Sequence, residues 1–313
     1  MPNRTKILID TDIGDDIDDA IALYAAMRQD FEIVGVTTVF LNTLQRARMV
    51  KKLMCEYGRG YEQVPVFAGH GTPLCAAAQE YPTIPHYTQE LEDERYTPNG
   101  TTPDEAVDFI IDACHRYQKE LTVVAIGPFT NLARVIQKDP EALNLVSRVV
   151  IMGGAYFRQY ADWNVLCDAH AAQVMFGGID RLECLGADVT HQAIGEEALY
   201  QNLLDYRGSE PAHRYLRELC RLWRVDRPRA RLVLHDPLVI YYLNDPLLCE
   251  MQEAHVAVLT SGYARGMTLN VEAYAKRKYN TAYADFCDDR VARVAKSVEL
   301  SRLHGRIFSD FDV

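Results

Sequence analysis

The chain has 313 residues, 48% of them hydrophobic and 25% charged, a globular composition with enough length for a large core. Its formal net charge of -11 comes without any basic stripe, which argues against a nucleic-acid partner. No apolar run reaches the roughly 18 residues of a membrane span, and the start MPNRTKILID lacks a long apolar signal segment, so a soluble, cytoplasmic protein with no membrane partner is the default expectation.

In chain order, KILID predicts a strand, residues 17–28 a helix, FEIVGVTTV a strand, 43–57 a helix, VPVFAG a strand, 104–117 a helix and LTVVAIG a strand. The rhythm continues through a helix over 129–137, the strand SRVVIMGG, a helix over 168–177 and the strand RLECLG. Strands alternating with helices predict an α/β fold: an open, mostly parallel sheet of Rossmann-like type, at least six strands wide, with flanking helices. Residues 195–235 read as a helical insertion, with Tyr215, Leu219, Leu222 and Trp223 on one face, before HDPLVIYYL opens a new segment. EAHVAVLT and MTLNVEAYAKRKYNTAYADF read as strands, and 291–303 as a closing helix. The whole chain, 1–313, reads as a single domain. The stretch 76–102, rich in Pro, Thr and charge, is long for a connection and is a candidate lid, with Tyr81, His86, Tyr87 and Tyr96 available to stack on a ligand.

The first strand runs into DTDIGDDIDDA, residues 10–20, with six aspartates in eleven positions. Asp15 or Asp16 could cap the following helix, and Asp18 and Asp19 suit its first turn. Asp10 and Asp12 are left over, at the C-terminal end of a strand where ligands bind in open α/β sheets. Carboxylates so crowded raise one another's pKa values unless a cation sits among them, and a hard, oxygen-seeking ion fits them better than zinc. Eight dispersed cysteines form no C-x-x-C pair and predict neither zinc nor disulfides; Cys167 is of interest only for its position. Other polar groups also follow predicted strands: Asn42, the IGPFTN turn with the carbonyl of Ile126 and Asn131, and Asp162 and Asn164 flanking Trp163. If that last stretch is extended, Asp162 and Asn164 face one way and the indole the other. His235 beside Asp236 is either a general acid or a helix-start histidine.

DTDIGDDIDDA, VTTVFLN, AGHGTPL, AIGPFTNLA, VVIMGGAY, ADWNVLCDAHAA and HDPLVIYYL occur in the order expected of the nucleoside hydrolases of inosine-uridine preferring type, and ARGMTLNVE resembles their late strand; the likeness covers about residues 5–275. The resemblance implies a Ca²⁺-dependent N-ribohydrolase acting on a nucleoside, working as a homodimer or homotetramer. It implies that Asp12 binds the ion and takes a proton from the attacking water. Asp19, the Ile126 carbonyl and Asp236 would complete the ligand set. Asp18, Asn42, Asp162 and Asn164 would hold the ribose, and His235 would help the leaving base. Relative to D-x-D-x-G-x-D-D-A, two extra residues separate Gly14 from Asp18, so the role of Asp18 is open to Asp16. Asp162 replaces a common Glu, Leu41 a common Gly, and the stretch 76–102 lacks a glycine-rich H-G-x-x-G, which returns base recognition to the lid or to the insertion around Trp223 and Arg227.

Two other readings remain at this level. A phosphatase of haloacid dehalogenase type also follows its first strand with D-x-D and would use Asp10 as nucleophile. A nucleoside- or ribose-binding protein without turnover would keep the pocket alone.

Overall fold

The computed structural model describes residues 4–29, 31–75, 93–195, 197–205, 210–271 and 290–311. β1 (Lys6–Thr11) is central, because Ile7 and Ile9 join a core on one face of the sheet and Leu8 a core on the other. That alternation follows from the two-residue period of a strand, and burial on both faces is why the strand reads as a continuous apolar run. On the first face lie α1 (Asp18–Arg28) and α2 (Thr43–Tyr57); on the second lie α3 (Pro103–Tyr117), α4 (Thr130–Lys138) and, past the short α5 (Trp163–Cys167), α6 (Ala169–Gly178).

The remaining strands of the main sheet are β2 (Glu32–Thr38), β3 (Val66–Ala68), β4 (Leu121–Ala125), β5 (Arg148–Met152), β6 (Leu182–Leu185), β7 (Cys249–Ala254) and, later in the chain, β10 (Ala292–Val298). β8 (Val256–Val258) and β9 (Thr268–Asn270) form a separate antiparallel pair. The eight strands run in the order β3-β2-β1-β4-β5-β6-β10-β7, parallel throughout except for the β10/β7 pair. The order therefore reverses between β1 and β4, and a crevice opens outside the carboxyl ends of strands at such a reversal.

The helical insertion is formed by α8 (Glu197–Asp205) and α9 (Pro211–Asp226), after the single turn of α7 (Ala187–Thr190) and before α10 (His235–Asn244). α9 packs on α2 with Tyr215, Leu219 and Trp223 buried, and α10 packs along α1.

The elements expected from the sequence and those of the structure differ at the C-terminal end. Residues 291–303 are not one helix: β10 is a strand seated between β6 and β7, and α11 (Leu300–Asp310) follows it. Neighbouring strands on both sides bury Ala292 and Val294, and this tertiary setting overrides the local helical spacing. Most of the candidate lid, 76–92, and the segment 272–289 lie outside the described residues. Residues 93–102 lie along the sheet edge, where Asn99 Oδ1 accepts from Val66 N at 2.9 Å and Thr102 forms a capping box with Glu105. None of 93–102 is among the described residues that line the cavity treated next.

Candidate active site

A cavity of about 270 Å³ lies over the carboxyl ends of β1, β4 and β5. The turn from β1 to α1 supplies Asp12, Asp15, Asp16, Asp18 and Asp19, the end of β4 supplies Ile126, and the loop after β5 supplies Tyr160, Asp162, Trp163 and Asn164. The rest of the wall comes from Met152 at the end of β5, His191 after α7, Arg227 after α9, and His235 and Asp236 at the start of α10. Gly127 lets the β4–α4 turn come this close: a Cβ there would meet Val39 Cγ1 at 2.8 Å and Asp12 N at 2.9 Å.

The aspartates are not helix caps. The N-cap of α1 is Ile17, without a side-chain cap, while Asp16 accepts from Ile17 N and pairs with Arg227 at 2.6 Å on the half-exposed rim. Asp15 is held instead by Arg46, which is fully buried. That one guanidinium also donates to the carbonyls of Phe40 (2.7 Å), Ile13 (2.9 Å) and Asp12, so it fixes the acidic turn from beneath.

Asp18, Asp19 and Asp236 form the tightest group: one carboxylate oxygen from each lies within 4.8 Å of the others, and all three are buried. They sit in the first turns of α1 and α10, where the helix dipole favours negative charge, and Asp236 N–H donates to Asp18 Oδ2 at 3.3 Å. Burial, then repulsion from neighbouring carboxylates of the acidic turn, pushes each carboxyl well above the usual range. Burial also raises Asp12 to about 8, against the pull of Arg46. A divalent cation relieves both effects, and an all-oxygen carboxylate set matches a hard ion. The residues present therefore fit a metal.

Of the expected ligand set, Asp12, Asp19, Asp236 and Ile126 all line the cavity, with Asp18 joining Asp19 and Asp236 in the close group. Asn164 Nδ2 donates to the Ile126 carbonyl at 3.0 Å and to Met152 O at 3.1 Å. Asn131 ties strand ends together, donating to Asp10 Oδ1 at 2.7 Å and Thr38 O at 3.1 Å. Asp162 is the N-cap of α5, accepting from Val165 N, and burial raises it to about 6. Because α5 begins at Trp163 the stretch is helical, not extended, and the indole lines the cavity with its neighbours instead of facing away. Asn42 is the one expected sugar contact outside the cavity lining. Phe40 and Leu41 take left-handed φ values of 68° and 57°, and the chain turned this way carries Asn42 to the exposed start of α2.

Asp10 is no nucleophile. It is wholly buried, accepts from Thr37 and Asn131, and is not among the cavity residues, which removes the phosphatase reading. Cys167 is buried against Val39 and Phe40, and burial pushes its thiol far up, so it is packing. No disulfide joins the described cysteines.

A model of the inosine-uridine preferring nucleoside hydrolase family matches residues 7–304. This chain belongs to that family. It is similar to uridine nucleosidase 1 of Arabidopsis thaliana, 31% identical over 283 residues covering 86% of this chain and 82% of the relative. It is also similar to the inosine-uridine preferring nucleoside hydrolase of Leishmania major, 29% identical over 286 residues, 87% and 90% of the two chains. A solved plant nucleoside hydrolase superposes with a TM-score of 0.82 at 26% identity, covering 99% of both chains. The mostly parallel sheet is thus that of a nucleoside hydrolase, and the chain is a hydrolase acting on nucleosides.

Within the nucleoside hydrolase site, sequence reading missed Arg46, Tyr160 and His191. Arg46 carried a signal: with Met49, Val50 and Leu53 it falls on the buried stripe of α2, where an arginine needs partners. Tyr160 and His191 lie in connections with no periodicity to mark them.

Proposed function

We propose that the protein hydrolyses the N-glycosidic bond of ribonucleosides to free base and ribose with Ca²⁺ as its ion. The observation that carries this reading is the convergence of Asp12, Asp18, Asp19 and Asp236 with the sugar-suited pair Asp162 and Asn164 in one cavity. Asp12, Asp19, Asp236 and the Ile126 carbonyl would hold the ion, which supplies Lewis acidity toward water and offsets the carboxylate charge. Asp16 is engaged with Arg227 at the rim, so Asp18 is the residue left to accept from a ribose hydroxyl.

Water adds to the anomeric carbon while Asp12 accepts its proton, and the electron pair of the breaking C–N bond leaves with the base, which takes up a proton. The developing oxocarbenium charge falls among carboxylates that stabilise it. Asp162 and Asn164 grip the sugar and set the anomeric carbon in line, and His235 faces the departing base as a hydrogen-bond donor. The test is release of reducing sugar from a panel led by uridine and inosine, the nucleosides in the names of the relatives, with calcium present and then chelated. Sugar release that depends on calcium is the expected result; no release from any nucleoside, with bound nucleoside retained, would make this a binding protein.

A further inference from the structure

We propose that Thr190 is a positioning residue for His235, fixing which imidazole nitrogen the departing base meets, with His191 and Tyr160 bracing the ring; this rests on the hydrolase reading above. Thr190 is wholly buried, and its Oγ1 lies 2.6 Å from His235 Nδ1. The contact joins the end of α7 to the start of α10, two segments that the backbone also ties: Leu234 N donates to Ala193 O at 2.8 Å, and Ile194 bridges Val233. Hydroxyl and imidazole are therefore held in register from both sides.

Two further rings complete the brace. The His191 ring stands edge-to-face on His235 at 5.1 Å and 73°, and Tyr160 stands likewise on His191 at 5.3 Å and 75°. All three line the cavity, so they run from the buried start of α10 out to the rim beside Asp162. An imidazole alone can flip about its terminal torsion and exchange its nitrogens. In this proposal the Thr190 hydroxyl is the donor to Nδ1, which places the ring hydrogen on Nε2, a nitrogen with no hydrogen bond among the described residues. The arrangement thus presents an N–H to whatever leaves the sugar.

The consequence is specific to leaving groups that need a donor. A nucleobase departs as a basic nitrogen anion, whereas nitrophenolate spreads its charge and leaves unaided. Thr190→Val keeps the shape and removes the hydroxyl; Thr190→Ser restores it. Expected for Thr190→Val is a fall of about tenfold or more in kcat on uridine and inosine, with KM nearly unchanged and 4-nitrophenyl β-ribofuranoside hydrolysed within about threefold of wild type. Thr190→Ser should recover most of the nucleoside rate. The ¹⁵N spectrum, with His235 assigned by its loss in His235→Asn, should show an unprotonated Nδ1 in the wild type and a mixed tautomer in Thr190→Val. Equal losses on nucleosides and the nitrophenyl riboside, or undiminished nucleoside turnover, would overturn the proposal. A wild-type protein inactive on both substrate types would instead overturn the hydrolase reading beneath it.

Discussion

Arg46→Met tests whether the acidic turn is held from below. The guanidinium has almost no exposure, pairs with Asp15 at 2.9 Å, and donates to three carbonyls of two separate segments. Methionine fills much of the volume but leaves the Asp15 carboxylate without its cation, and removing one half of a buried pair costs about 3–5 kcal/mol. The lost carbonyl bonds overlap with that cost, so about 4 kcal/mol is the working figure. With an unfolding entropy of ~2.1 cal/mol/K per residue, a 313-residue chain loses ~6 °C of Tm. Arg46 also holds the Asp12 backbone, and a displacement of this general base by about an ångström lowers kcat by roughly a hundredfold. Differential scanning fluorimetry with circular dichroism reads the first effect and reducing-sugar release the second. Arg46→Lys should recover less than half of either, because an ammonium cannot match the fork. An Arg46→Met protein within about 2 °C of wild type and near-normal in kcat would show that the turn holds itself.

Asp12→Asn should fold normally yet lose at least about a hundredfold in kcat, since an amide cannot accept the proton of the attacking water; near-normal turnover would move the base role to another aspartate. Calcium at 100 times its Kd should stabilise by about 2.7 kcal/mol, some 4 °C here, and Asp236→Asn should abolish that shift; an unchanged Tm on chelation of the wild type would count against the ion. In the metal-free protein burial holds Asp10 at about 7 and Asp12 at about 8, above the 3.8 of an unexceptional aspartate. Their stabilising contribution is complete below about pH 4 and is lost as pH rises through 7 and 8. His235, held at about 4 by burial and by His191, acts with opposite sign but has finished by about pH 7. The chelated protein should accordingly melt lower at pH 8.5 than at pH 7, and a melting curve that rises over that window would refute the assignment.

The parts of the fold that could be read from sequence are those in which one strand or helix carries its own pattern. KILID, LTVVAIG and SRVVIMGG are buried on both faces, so their apolar runs announce them. β10 does not announce itself, because ARVAKSV is mixed in character and becomes a strand only by lying between two others. The site divides in the same way. Six aspartates in one turn are conspicuous through their own repulsion, and the end of β4 and the start of α10 place Ile126 and Asp236 near them. Thr190 and His191 acquire meaning only through a ring 45 residues away, and Asn42, after two left-handed residues, is not among the described residues that line the cavity.

The placement of β10 has a consequence for how the molecule comes into being. Arg293 pairs with Glu183 across 110 positions of chain, so at roughly 5–20 residues per second of synthesis β6 waits about 5–20 seconds for its neighbour. A sheet assembled before β10 arrives would have Leu182–Leu185 as its open edge, and open edges pair readily with other strands. Three of its four residues are apolar, and the fourth is Glu183, buried at the end of assembly between Arg148 on β5 and Arg293 on β10 and bonded to Tyr242. A carboxylate in the middle of that waiting strand repels intruders that bring no cation, and the late arrival of Arg293 completes its neutralisation. Glu183 thus places a charge of the gatekeeper kind on the strand edge whose partner comes last in the sequence.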